Sequence, residues 1–134
     1  MALISNGTGI APFLGMMEQN KKKTAIHLYC GFRKATETVL GYEKFAAEMI
    51  QKQQLKSFHV ALSRETNHHY VMDLIKRDAD FFMDLLTQGG VVMICGSLAM
   101  QKDVEFALNE LCVARATMGI ADYKANGQVL TDCY

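Results

Sequence analysis

Five short stretches of this chain carry residues able to grip a charged ligand or take part in a reaction. "GTGIAP" (7–12) sets Gly7 and Gly9 one residue apart and follows them with Pro12. A chain that turns sharply from strand to helix on glycines leaves amides bare, and bare amides at a helix start attract phosphate. Thr8 adds a hydroxyl donor, but Pro12 stands where the dinucleotide fingerprint has its third glycine or alanine. The stretch therefore reads either as a phosphate loop or as a structural turn. "CGFRK" (30–34) offers Arg33 and Lys34 with no carboxylate before Glu37. An acid at the end of a second strand would bind a ribose 2′-hydroxyl, so a cation pair there suits a phosphate-bearing ligand, or else a solvated basic loop.

In "ALSRE" (61–65) the Ser63 hydroxyl sits beside the Arg64 guanidinium, with His68, His69 and Tyr70 close behind. Such a pair can hold a phosphate monoester through charge-assisted hydrogen bonds, and the bland alternative is a surface loop. "CGS" (95–97) supplies Cys95 and Gly96. The glycine would let a flat ring approach the backbone. The thiol has no histidine base in its neighbourhood, so it reads as a small buried hydrophobe rather than a nucleophile. "TDCY" (131–134), with Asp132 and Tyr134, reads on its own as ordinary packing.

The elements that must position these residues alternate along the chain. "ALIS" (2–5), 25–32, 57–63 and 91–97 are apolar, β-branched or aromatic runs bounded by turn signals, which predicts strands. Helical spacing predicts helices over 12–22, 36–54, 71–86 and 100–113. The tail "GQVLTDCY" supplies a fifth strand after a turn at Asn126-Gly127. Alternating strands and helices predict an α/β fold, three layers built on a doubly wound, five-stranded parallel sheet. In such a sheet ligands bind at the carboxyl edge, where all five stretches fall.

Composition narrows the function classes. A chain of 134 residues fits one domain and buries a sizeable core without a metal or disulfide. Zero formal net charge argues against general nucleic-acid or membrane-surface binding. Cys30, Cys95, Cys112 and Cys133 are scattered, with no zinc-ligand spacing, which suits a reducing compartment and predicts no metal site. The chain has no apolar run long enough to span a membrane, and it reads as cytoplasmic, or as the cytoplasmic face of a larger protein.

Taken in order, "GTGIAPF", "YCGFR", "SRE" with the later "YV", "CGSLAMQKDV" and "DCY" resemble the NADP(H)-binding domain of the ferredoxin–NADP reductase superfamily, which includes the diflavin reductases. The resemblance spans 1–134 and implies NADPH as ligand. It implies that the turn with Gly7, Thr8, Gly9 and Pro12 lies against the pyrophosphate and that Arg33 adds to nucleotide binding. Ser63, Arg64 and Tyr70 would hold the adenosine 2′-phosphate and adenine, while Gly96 and Met100 fall in the cofactor-binding stretch after Cys95. Cys95 would pack beside the nicotinamide, Asp132 would belong to the hydride-transfer site, and Tyr134 would cover the flavin. The chain departs from the pattern at His68 and Met72, where many relatives have lysine and glutamine, and at Ser97, where many have an acid.

The superfamily's FAD-binding barrel has no counterpart in these residues. The resemblance therefore implies the C-terminal part of a larger flavoprotein, with an FAD-binding domain in cis and an unidentified electron acceptor. Such a piece is expected to bind nucleotide without turning over alone, and to expose apolar surface around the tail and first strand. The competing reading is a stand-alone nucleotide-binding or regulatory module. A flavodoxin-like FMN carrier fits less well, because its phosphate loop would be richer in serine and threonine.

Overall fold

The computed structural model describes residues 1–65 and 69–134. Five parallel strands, β1 (Ala2–Asn6), β2 (His27–Phe32), β3 (Ser57–Leu62), β4 (Val92–Gly96) and β5 (Val129–Cys133), form one sheet in the order β3-β2-β1-β4-β5. Helices α1 (Ala11–Glu18), α2 (Glu37–Gln51), α3 (Val71–Arg77), α4 (Ala79–Thr87), α5 (Leu98–Ala114) and α6 (Ile120–Ala125) fill the crossovers. The chain moves outward from β1 to β3, then returns to the other flank of β1 for β4. The strand order thus reverses between β1 and β4, which opens a crevice at their carboxyl ends.

Strict alternation splits the central strands between two cores. Ala2, Ile4, Val92 and Ile94 pack with Val71, Ile75, Phe82 and Leu108 of α3, α4 and α5. Leu3, Leu28 and Cys95 pack on the opposite face with Phe13, Met17 and Met49 of α1 and α2. Covering on both faces explains why these strands read as continuous apolar runs. It also corrects one expectation: Ala2, Leu3 and Ile4 of β1 are fully buried, and of the two places expected to expose apolar surface it is the tail that does so, on Leu130 and Tyr134.

Two helices differ from the spacing-based reading. The segment expected as one helix over 71–86 breaks at Asp78, whose φ of −101° and ψ of 35° leave the helical region. The Asp78 carboxylate accepts the Tyr29 hydroxyl at 2.7 Å and the Arg77 Nε at 2.9 Å, so the break anchors the start of α4 to β2. Helix α6 went unread because it has only six residues and buries only Tyr123. No helix among the described residues is long and apolar enough to cross a membrane.

Candidate dinucleotide-binding site

The first wall of the site is built where β1 ends. Gly7, at φ +52°, opens a single 3-10 turn over Gly7–Ile10 that runs directly into α1, with Pro12 in the helix's first turn. Gly9 lets that turn lie on the end of β4, since a Cβ there would stand 2.3 Å from the Cys95 carbonyl oxygen. Asn6 ties the same strand ends together: its Nδ2 donates to Ser97 Oγ at 3.0 Å, and its Oδ1 accepts the Ser97 amide at 2.9 Å. Gly96, at φ +150°, leaves room for this amide, because a Cβ would come within 2.1 Å of Asn6 Oδ1. Ser97 Oγ also accepts the Met100 amide at 3.2 Å and so caps α5.

The second wall continues the β2–β3 ladder past the strands. The Ser63 amide donates to Phe32 O and the Arg64 amide to Arg33 O, both at 2.8 Å. These bonds set Arg33 and Lys34 beside Ser63 and Arg64. Thr36 caps α2 by accepting the Val39 amide at 3.3 Å, so a second long helix starts at this edge. Across from it, the Tyr70 amide donates to Asp73 Oδ2 at 2.8 Å and opens α3.

Between the walls lies an open cavity of about 840 Å³, large enough for a nucleotide-sized ligand. Of the residues the sequence singled out, Gly7, Thr8, Arg33 and Ser63 line it, as do Arg64, Tyr70, Met100 and Tyr134. Among the described residues, its charged side chains are Arg33, Lys34 and Arg64 against the carboxylate of Asp103. Three cations and the starts of α2 and α5 give the crevice a positive field suited to an anion. Tyr134 reaches the turn after β1, its hydroxyl 2.7 Å from Thr8 Oγ1. Its amide donates to Gly96 O, and its carbonyl accepts the Leu98 amide, each at 3.0 Å.

Lys34, His69 and Ser97 line the cavity as well, whereas Gly9, Pro12, Cys95, Gly96 and Asp132 stand outside it. Gly9 and Gly96 serve the backbone packing described above. Pro12 is exposed on α1. Cys95 is buried, and burial, with the Asp132 and Cys133 charges, pushes its thiol up and keeps it protonated. Asp132 is its register partner on β5. Met72 lines the cavity, and His68 lies outside the described residues. Sequence reasoning missed Asn6, Thr36 and Asp103. Of these, Thr36, a threonine at the start of the helical pattern over 36–54, carried a local signal as a helix cap.

The model of the family described as the oxidoreductase NAD-binding domain matches residues 3–105, from β1 into α5. The chain belongs to that family. This oxidoreductase NAD-binding domain is 36% identical over 113 residues to an NADPH–cytochrome P450 reductase of Rattus norvegicus, covering 77% of the chain and 16% of the relative. It is 35% identical over 127 residues to the Sus scrofa protein of the same name, covering 87% and 18%. With the sulfite reductase [NADPH] flavoprotein alpha-component of Buchnera aphidicola it shares 30% identity over 125 residues, covering 90% and 21%. The NAD-binding domain thus spans between a sixth and about a fifth of the length of these curated relatives. The sequence resemblance and the fold it implied agree with this family. Within the domain, the family match takes in the glycine turn, both basic loops and the Cys95-Gly96 strand end; β5 and Tyr134 follow it.

Proposed function

We propose that the chain is the NADPH-binding unit of a flavoprotein reductase, working beside a flavin domain that receives the hydride. The observation that carries this reading is the pairing of Arg33-Lys34 with Ser63-Arg64 on one cavity wall, at the edge where β2 ends without an acid. Two guanidiniums, an ammonium and a hydroxyl suit a doubly charged phosphate monoester and lack the carboxylate that would accept from both hydroxyls of a ribose diol. The Tyr70 ring, also in the lining, offers an apolar face to adenine. The Gly7-Thr8 turn on the opposite wall presents amides and a hydroxyl to the pyrophosphate.

When bound, the nicotinamide supplies the hydride; the chain's own residues bind and orient it. Thr8 is engaged by Tyr134, so a pyrophosphate on the turn competes with the tyrosine hydroxyl for the same partner. We assign the nicotinamide end to the Cys95–Asp132 side of the sheet. There a neutral, buried thiol contributes shape, and an exposed carboxylate contributes negative charge that favours the oxidised, cationic ring. The relatives' names refer to two different reductases, so the nucleotide unit is the shared part, and the acceptor is set elsewhere.

An amide chemical-shift titration with NADP⁺ tests the placement. Gly7, Thr8, Arg33, Ser63, Arg64 and Ser97 are expected to shift. Lys23, Thr24 and Lys56, which line a smaller cavity of about 410 Å³, serve as the internal control. Shifts confined to that control group, or absent throughout, would reject the reading.

A further inference from the structure

The acid next to the phosphate-binding pair poses an electrostatic puzzle. Glu65 follows Arg64 directly, and a carboxylate beside a site for a doubly charged anion repels it. Its contacts point to another task. Glu65 Oε1 accepts the Ala35 amide at 3.1 Å, and the residue is half-buried, outside the cavity lining. Two backbone rungs precede that bond, Ser63 to Phe32 and Arg64 to Arg33. Beyond them no backbone rung joins the two loops among the described residues, and the Glu65 side chain supplies the next link. Ala35 directly precedes Thr36, the cap of α2, so the bond fixes the segment between Arg33 and the helix start.

We propose that Glu65 is a positioning residue for 2′-phosphate recognition: its carboxylate brackets the 33–36 loop against the 63–65 loop and holds the two sets of cations at one spacing. The inference rests on the NADPH reading above and deepens it. A charge-assisted bond to a backbone amide is stronger than a neutral one, and it acts where the ladder has run out. The bracket works through an acceptor atom, so the amide oxygen of glutamine should serve in place of the carboxylate.

The test is calorimetry on the 134-residue chain with 2′,5′-ADP and with 5′-AMP, comparing the native protein, Glu65→Ala and Glu65→Gln. Glu65→Met, which keeps length and lacks a strong acceptor, stands in if the alanine variant does not fold. Glu65→Ala (or Met) should weaken 2′,5′-ADP about tenfold and leave 5′-AMP within about twofold, and the Ala35 amide should exchange faster with solvent. Glu65→Gln, which keeps the acceptor and removes the repelling charge, should keep or raise the native preference and keep the amide protected. A native preference that survives in Glu65→Ala overturns the bracket alone, as does a Glu65→Gln that behaves like alanine. A native chain that binds both ligands equally overturns the bracket and the NADPH reading together.

Discussion

Replacing three glycines of one short segment by alanine separates packing from backbone strain at the heart of the site. At Gly9 the new methyl would stand 2.3 Å from the Cys95 carbonyl oxygen, 2.7 Å from its carbon and 2.8 Å from Gly96 Cα. All three are backbone atoms, and ordinary contact begins near 3.4 Å, so the turn or the end of β4 must move by about an ångström. Overpacking of that kind costs about 1–3 kcal/mol. For a domain of this size each kcal/mol is worth about 4 °C in Tm, so a drop of about 4–12 °C is expected. The same shift carries Thr8 and the Gly7 amide off their line, and NADP⁺ affinity should fall at least tenfold. At Gly7 nothing lies within 4 Å, but φ is +52°, so Gly7→Ala should cost about 1 kcal/mol through strain alone. Gly15 lies inside α1 with open space around it, and Gly15→Ala should stabilise by about 0.5–1 kcal/mol. Differential scanning fluorimetry reads all three signs. A Gly9→Ala protein with native Tm and native NADP⁺ affinity would refute the close approach of the turn to β4.

Two further predictions concern pH, and both come from the polar chain behind β2 and β3. Arg77, then Tyr29, hydrogen-bond the Asp78 carboxylate and hold its pKa at about 2 against an ordinary 3.8. Its contribution is therefore present above about pH 4 and lost as pH falls toward 2; Asp78→Asn should flatten that limb of urea-midpoint-versus-pH curves. His59 sits in a chain of contacts, with Arg77 Nη2 3.0 Å from its Nδ1 and Ser57 Oγ 3.1 Å from its Nε2. Ser57 Oγ in turn lies 2.7 Å from His27 Nδ1, and Tyr29 stacks on the His59 ring. Burial first, then the Arg77 charge, lowers the His59 pKa, partly offset by Asp78; burial also leads for His27, followed by the N-terminus, His59 and Lys56. The unfolded chain therefore takes up protons at higher pH, and stability should fall as pH drops below about 6.5. His59→Gln should flatten the curve between pH 7 and 5, and an unchanged slope would contradict the arrangement.

The parts of the fold written in local pattern were legible. Continuous apolar runs marked β1 and β4 because both faces of those strands are covered, and the Asn126-Gly127 turn marked the start of β5. Arg33, Ser63 and Arg64 could be placed at one edge because a parallel sheet gathers all its strand ends there. Features that depend on distant partners were hidden. The break at Asp78 answers to Tyr29, 49 positions upstream, and Thr8 meets Tyr134 across 126 positions. Asn6 and Glu65 look like any polar loop residues until the register brings Ser97 and Ala35 to them. Roles for Asp132 and Tyr134 came from resemblance alone, since neither spacing nor composition distinguishes them.

The NADPH reading predicts that this edge binds an adenosine 2′-phosphate through Arg64 and its neighbours. Calorimetry of the native chain and Arg64→Ala, each titrated with 2′,5′-ADP and 5′-AMP, addresses it most directly. Hydrogen bonds to a charged group contribute about 1.5–3 kcal/mol, so the native chain should favour 2′,5′-ADP by about tenfold or more. Arg64→Ala should remove most of that preference while 5′-AMP binding stays within about twofold. Equal affinities in the native chain, or a preference untouched by Arg64→Ala, would contradict the account.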